Sequence, residues 1–272
     1  MISKKLSFLL LNLSCIISLY PMQEQNRKYV GVFTRSDKQI SGITFGNWGS
    51  RPYEYAWVAD LVSIEGKRVI DLGVGLPSQY DWFKYAVNKL KPSFYSGVDC
   101  DSRIKNELVS GQNYEICYMN MADLGYPDKS FDIAYCISTF EHIPYEILMK
   151  SIQETHRVLK DDGILIITLD EEWDKDQPSN YSNGWNTLEL QLLEKGLFKR
   201  GKRSFGLPEF LALIKEHFVL SLEDAIIDGD KIISKSSNHV YYDRRNKDNN
   251  ILNSGLPTNS CVSYAVLKKV AH

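Results

Sequence analysis

The chain has few cysteines, and their positions form no pairs. The five lie at positions 15, 100, 117, 136 and 261 of 272 residues. A structural zinc site needs ligands at short paired spacings, and a disulfide framework needs an even set, so the sequence predicts neither. Cys117 and Cys136 fall in or beside predicted core strands, where a thiol packs as a small apolar side chain.

An excess of charge of one sign is also missing. Lys and Arg number 32, Asp and Glu number 34, and the formal net charge is −2. A chain without excess positive charge has no general attraction for nucleic acid, so no nucleic-acid partner is predicted. One basic cluster, at residues 199–203, is interpreted as a solvated loop in preference to an anion site.

Long apolar runs are absent except near the start. Residues 6–20 are mostly apolar, follow Lys4 and Lys5, and end at Pro21. This is the shape of a secretory signal, but the run is short for a membrane span and lacks a good cleavage site. We predict a leader or anchor-like segment over residues 1–28 and one domain over residues 29–272, with a true start at Met22 as an alternative.

Two common phosphate-binding motifs are absent as well. The chain has no Gly-Lys-Ser/Thr, and the third glycine of a dinucleotide fingerprint is replaced by Ser78, which counts against an oxidoreductase. The segment that is present, Arg68-Val-Ile-Asp-Leu-Gly-Val-Gly-Leu-Pro77, has the pattern of a buried strand, a glycine turn and a helix whose first turn holds Pro77. In open α/β sheets this crevice binds nucleotide-like ligands.

The spacing Asp71-x-Gly73-x-Gly75 resembles motif I of the class I S-adenosylmethionine-dependent methyltransferases. In that family the turn lies against the methionine part of the cofactor, whose sulfonium and amine are cationic and suit a nearby carboxylate. The resemblance implies S-adenosylmethionine as the cofactor. It also implies that Asp71, Gly73 and Gly75 belong to its binding site.

Two later segments follow in the order that the family shows. Residues 94–99 predict a second strand that ends at Asp99, a carboxylate able to accept hydrogen bonds from both ribose hydroxyls. Asp101 is the alternative and is better explained as a helix cap. After the third strand, Asn120 stands where the family has an acid, and its amide can still pair with adenine. Asp123 is the alternative there, and Met121 would pack either on the adenine ring or in the core.

Residues 154–170 resemble the family's "R-V-L-K-P-G-G" ending, a helix that stops at a turn containing Gly163 before a buried strand. Together these segments imply an α/β, doubly wound, mostly parallel seven-stranded sheet that is Rossmann-like, with an antiparallel last strand. A helix over Pro208–His217 and strands over Val219–Ile227 and Val262–Lys268 would complete it. The polar, aromatic residues 171–185 suit a substrate-binding loop.

Residues 51–55, Arg-Pro-Tyr-Glu-Tyr, resemble the N-terminal lid of small members of the family. Tyr53 and Tyr55 are predicted as lid residues that exclude water from the cofactor. Trp57, together with Val58 and Leu61, is spaced for packing on the sheet.

The predicted reaction loop follows the fourth strand at Ser138-Thr-Phe-Glu141-His142. Ser138 would lie at the cofactor, and His142 is the candidate general base because histidine is the residue type suited to that role near neutral pH, with a helix-capping or supporting role as the alternative. Some relatives bind a metal through Glu-x-x-Glu-His, but Ser138 replaces the first Glu, so no metal is predicted.

The predicted function is methyl transfer to a small-molecule or glycan-type acceptor. An inactive scaffold with this fold is the main alternative. Because S-adenosylmethionine is made in the cytosol, a cytoplasmic location is favoured over secretion, and any membrane contact would be made through residues 6–20. The oligomeric state is not predicted.

Overall fold

The computed structural model describes residues 30–33, 37–45, 50–172, 191–192, 194–197, 206–221 and 260–271. The predicted leader, the basic cluster at 199–203 and all but the first two residues of the loop 171–185 lie outside the described residues. Within the described part of the chain, no helix is both long enough and apolar enough to cross a membrane.

The described elements alternate between strands and helices as the sequence predicts. The strands are β1 (Val30–Val32), β2 (Arg68–Leu72), β3 (Phe94–Asp99), β4 (Val109–Gly111), β5 (Tyr114–Tyr118), β6 (Phe131–Ile137), β7 (Leu159–Glu172), β8 (Phe218–Leu220) and β9 (Ser260–Lys269). The helices are α1 (Arg51–Leu61), α2 (Trp82–Tyr85, continued by a π-helix over Ala86–Leu90), α3 (Tyr145–Val158) and α4 (Leu207–Ile214), with 3₁₀ turns at Ser102–Asn106 and Phe140–His142.

All nine described strands belong to one sheet, in the order β1-β9-β7-β6-β2-β3-β5-β4, with β8 also paired to β9. The strands β5, β3, β2, β6 and β7 run parallel, and the last strand, β9, is antiparallel to β7 and β8. The parallel core and the antiparallel last strand are confirmed. Two short strands, β1 and β4, extend the predicted set of seven by antiparallel pairing at its margins.

The hydrophobic core lies on both faces of the sheet. Along β6, Ala134 and Cys136 face a cluster that includes residues of α3 and α4. Ile133 and Tyr135 face the other side, where residues of α1 and α2 pack. Successive side chains of a strand point to opposite faces, so a strand covered on both sides is apolar throughout. This pattern produces the doubly wound arrangement.

Two predicted boundaries were wrong. Pro77 does not begin a helix, because it lies in a turn where the amides of Gln79 and Tyr80 both donate to the carbonyl of Leu76. The helix begins later, at Trp82. Gly163 does not end α3, which stops at Val158, and instead lies within β7 near a register irregularity against β6. Leu159 already pairs with Phe131 of β6, and the register then shifts before Ile164 pairs with Ile133, so the predicted turn is observed as an irregular stretch within β7.

Candidate functional site

The glycine turn lies at the carboxyl end of β2, where parallel strands end side by side. The amides of Gly73 and Val74 donate to the carbonyl of Val98 on β3 at 2.8 and 3.2 Å. Gly73 and Gly75 have φ values of +79° and +72°, a region that side chains with a Cβ rarely adopt. A Cβ on Gly73 would also lie 2.5 Å from the Thr139 side chain. The turn therefore requires glycine for both conformation and space.

Asp99 closes this turn from the neighbouring strand. Its Oδ2 accepts the amide of Gly75 at 2.9 Å, and its Oδ1 accepts the amide of Asp101 at 2.8 Å. Each carboxylate oxygen has a second lone pair, so the side chain retains the capacity to accept ligand hydroxyls. Asp101 caps the 3₁₀ turn that follows by accepting the Arg103 amide, which is the capping role predicted for it.

A cavity of about 210 Å³ opens beside the glycine turn. It is lined by the turn after β2, by the end of β6 with the residues that follow, by α1, and by the turn before α2. Its lining residues combine small, aromatic and charged side chains: Arg51, Tyr55, Gly73, Val74, Gly75, Tyr80, Ile137, Ser138, Thr139 and His142. Thus Gly73, Gly75, Ser138 and His142, four of the predicted site residues, line one cavity.

Asp71 lies beneath the turn and does not line the cavity. Its side chain is 1% exposed, its Oδ2 accepts the Tyr95 hydroxyl, and its Oδ1 has no hydrogen-bond partner among the described residues. Burial raises the pKa of Asp71 to about 7; the Tyr95 hydrogen bond opposes this shift and the negative charge of Asp99 adds to it. Its charge is therefore sensitive to pH near neutrality.

A buried ion pair within α1 is hydrogen-bonded to Ser138, which follows β6, and to Thr168 of β7. Arg51 donates to Glu54 at 2.7 Å, and both side chains are almost fully buried. The second carboxylate oxygen of Glu54 accepts the hydroxyls of Ser138, at 2.8 Å, and Thr168. The Ser138 hydroxyl is engaged in this network, so the predicted contact of Ser138 with the cofactor would be made by its backbone. The residue also has a positive φ of +41°.

Glu141, His142 and Asp170 form a second polar group at the cavity edge. Nε2 of His142 lies 3.9 Å from a Glu141 oxygen and 4.0 Å from an Asp170 oxygen. Burial, followed by the charge of Glu141, raises the pKa of Asp170 well above its ordinary value. One ligand-type atom from each residue lies within 4.8 Å of the others, so the three could together ligate a cation. The sequence motif did not reveal this group, because Asp170 comes from β7.

Asn120 and Met121 differ in exposure. Asn120 is exposed, and its side-chain oxygen accepts the Ala122 amide, which leaves its NH₂ group available as a donor for adenine. Met121 is only 7% exposed and belongs to the core cluster under α3, the second of its two predicted environments. Neither residue lines the cavity, so the adenine contacts remain a prediction.

The predicted lid residues are part of the fold. Arg51 to Tyr55 form the first turns of α1 itself. Tyr53 is 8% exposed and packs with Phe33 and Tyr264, in a core position that the lid hypothesis did not foresee. Tyr55 is buried against Trp82, with ring centroids 4.5 Å apart, and also lines the cavity. Trp57, predicted as core, is only partly buried.

The chemistry of the cavity suits the methionine part of S-adenosylmethionine. The turn provides a close backbone approach, Arg51 provides a cation for a carboxylate, and carboxylates lie nearby for cationic groups. Asp99, at the end of β3, adds carboxylate acceptors beside the turn.

Comparison with known proteins supports a methyltransferase domain. Residues 70–167 match the family model described as a methyltransferase domain. Phosphoethanolamine N-methyltransferase of Plasmodium falciparum is 26% identical over 148 residues, covering 53% of this chain and 54% of that protein. An uncharacterized protein of Methanocaldococcus jannaschii is 28% identical over 172 residues, covering 63% of this chain and 55% of that protein. The chain thus spans about half the length of these curated relatives.

Solved structures share the fold at low sequence identity. The MccD protein aligns with a TM-score of 0.50 and 16% identity, over 83% of this chain and all of that chain. At this identity the likeness concerns the fold alone. The structural likeness covers 83% of this chain, whereas the family model matches only the segment from β2 to β7.

The close contact at Gly73 predicts a stability difference between two glycine variants. Gly66 has a similar φ of +71°, but a Cβ there meets nothing within 4 Å. We expect Gly66→Ala to cost about 1–2 kcal/mol from backbone strain, and Gly73→Ala to cost about 1–3 kcal/mol more from overpacking against Thr139. Urea unfolding measures both values, and equal losses would contradict the contact.

The buried carboxyl of Asp71 predicts a pH-dependent effect on stability. Because its pKa is raised, the folded chain holds this proton up to about pH 7, whereas the unfolded chain releases it near its ordinary pKa of 3.8. Asp71 therefore lowers stability progressively as pH rises between these values. Asp71→Asn should gain stability relative to the wild type from pH 5 to pH 8 in urea unfolding. A difference independent of pH would show that Asp71 ionises normally.

Proposed function

We propose that this chain, whose residues 70–167 match the family model described as a methyltransferase domain, is a class I S-adenosylmethionine-dependent methyltransferase. It would transfer a methyl group to a small-molecule or glycan-type acceptor by in-line displacement. The observation that carries this proposal is the shared cavity of Gly73, Gly75, Ser138 and His142. In this cavity a cofactor-binding turn and a titratable side chain face the same space.

Different residues would bind different parts of the cofactor. The glycine turn would hold the methionine part, Asp99 the ribose, and the exposed Asn120 the adenine edge. When bound, S-adenosylmethionine supplies a methyl group activated by a sulfonium. The chain's own contribution is to hold the acceptor in line and to exclude water, which is where much of the rate enhancement of such a displacement arises.

His142 is the candidate base. Its ring is 30% exposed and lines the cavity, so an acceptor hydroxyl or ammonium could give it a proton. The carboxylate of Glu141, with an oxygen 3.9 Å from Nε2, would stabilise the imidazolium that results. The 3₁₀ turn over Phe140–His142 holds the ring there, since the His142 amide donates to the Thr139 carbonyl.

A small acceptor is supported by the dimensions of the site. The cavity has a volume of only about 210 Å³ and is lined in part by α1 and the turn before α2, and the chain presents no excess of positive charge for a polyanion. The Plasmodium falciparum relative is named for phosphoethanolamine, which is a small molecule. Because the chain spans only about half of that protein, its substrate is not transferred to this chain.

Calorimetric titration of the chain with S-adenosylmethionine, its demethylated product and NAD tests the cofactor assignment. We expect the first two to bind and NAD not to bind. Asp99→Ala should weaken both by about 1.5–3 kcal/mol, the scale of hydrogen bonds to a charged group. Asp101→Ala is the matched control, because this neighbouring acid only caps a 3₁₀ turn. NAD binding would favour an oxidoreductase, and equal effects of the two variants would remove Asp99 from the ribose site.

Loss of the histidine should separate catalysis from binding. We expect His142→Gln to lower turnover by roughly 10²-fold while leaving cofactor affinity nearly unchanged. His156→Gln, on the far end of α3, is the control for loss of a histidine elsewhere. Turnover is measured by release of the demethylated product in the presence of candidate acceptors. Normal turnover of His142→Gln would assign the residue a structural role, and cofactor binding without turnover on any acceptor would favour the inactive scaffold.

A further inference from the structure

Glu141 has more capacity to bind a ligand than the fold uses. It is 7% exposed and directly precedes His142, which lines the cavity. Its Oε1 accepts the amide of Asp170 at 2.9 Å, whereas its Oε2 has no hydrogen-bond partner among the described residues. A buried carboxylate oxygen without a donor is costly, so a donor or a positive charge supplied by a ligand would be favoured there.

The charge of Glu141 lies close to the candidate base. Its Oε1 is 3.9 Å from Nε2 of His142, and one ligand-type atom each of Glu141, His142 and Asp170 lies within 4.8 Å of the others. Burial and the charge of Glu141 raise the pKa of Asp170 well above its ordinary value, so Glu141 is the charged member of the two near neutral pH. Arg51, the permanent cation of the cavity lining, is already paired with Glu54. The His142 end of the cavity is therefore negative.

Aromatic rings line the same cavity. Tyr55 and Tyr80 are both among its lining residues. The face of an aromatic ring attracts an ammonium group, and the attraction is stronger where water is excluded. Ring faces and a carboxylate together suit a positively charged nitrogen, whereas both are unfavourable for an oxygen anion.

Acceptor types differ in the charge that develops as the methyl group moves. When a neutral amine attacks, its nitrogen lone pair forms the N–C bond and the C–S bond breaks with its electron pair going to sulfur. Positive charge then develops on the nitrogen. A hydroxyl acceptor instead loses its proton and gains negative character on oxygen. A nearby carboxylate stabilises the first charge and opposes the second.

We propose that the acceptor is a small amine, bound as its ammonium ion by Glu141 at the His142 end of the cavity. This inference rests on the proposed function, because it takes that end of the cavity as the acceptor position. Neutral His142 removes one proton from the ammonium, and the resulting amine takes the methyl group while the thioether leaves. The product is an N-methylammonium ion, and His142, whose side chain is 30% exposed, returns its proton to the solvent.

The test titrates the chain, saturated with the demethylated product of S-adenosylmethionine, with ethylammonium chloride and with ethanol. These two probes are similar in size and differ in charge. Binding is measured by ligand-observed NMR at constant ionic strength, with a chelator present so that divalent cations do not compete. We expect the wild type to bind ethylammonium roughly 10-fold or more tightly than ethanol, the scale of a hydrogen bond to a charged group. In Glu141→Gln, which keeps an acceptor for the Asp170 amide, this preference should fall to within about threefold.

Two further variants keep the outcome interpretable. Glu146→Gln removes an exposed acid in the first turn of α3, which pairs with Lys195, and should leave the preference unchanged. Glu141→Asp retains the charge and should retain part of the preference, which covers the case in which Glu141→Gln fails to fold. Equal affinity of the wild type for the two probes, or a preference that persists in Glu141→Gln, would overturn the ammonium site while leaving the proposed function intact.

Turnover provides a second readout. In a screen of matched pairs that differ only in an amino or a hydroxyl group, we expect the amine of each pair to be methylated faster. Faster methylation of the alcohols would overturn the inference, although the chain would still be a methyltransferase. Failure of the wild type to bind S-adenosylmethionine would reject the proposed function itself.

Discussion

The buried carboxylate of Glu54 is the constraint on which the site depends. One of its oxygens accepts Arg51, and the other accepts the hydroxyls of Ser138 and Thr168. A buried carboxylate is costly unless its oxygens are all hydrogen-bonded, so α1 has one position in which this cost is offset. That position brings the first turn of α1 over the carboxyl ends of β6 and β7. Without it the cavity would lack a wall and its cation.

The same edge of the sheet concentrates acidic groups. Asp71 and Asp99 lie at the ends of β2 and β3, and Glu141 and Asp170 lie at the ends of β6 and β7. Burial raises the pKa of Asp71 to about 7 and that of Asp170 well above its ordinary value, which shows that desolvation here is strong. A site rich in acidic side chains suits a cofactor with a sulfonium and an amine.

Sequence patterns predicted the central strands well because those strands are apolar on both faces. The run around Val69, the strand ending at Asp99 and the strand beginning at Phe131 are all found where the patterns place them. Boundaries were wrong where a residue type gave a misleading local signal: glycine often ends a helix, but Gly163 lies in an irregular part of β7. Tyr53 was assigned to a lid, although its ring packs in the core, because the sequence does not reveal which side of α1 faces the sheet.

The sequence by itself determined the order of the elements, the glycine turn and the acid that ends β3, since these depend on residue types and short spacings. Only the tertiary structure decided which distant residues share the cavity. Arg51 and Ser138 are brought together by the buried network of Glu54, and Asp170 is brought to His142 by the parallel pairing of β6 and β7. Such contacts depend on the packing of elements far apart in the chain, so no local sequence pattern predicts them.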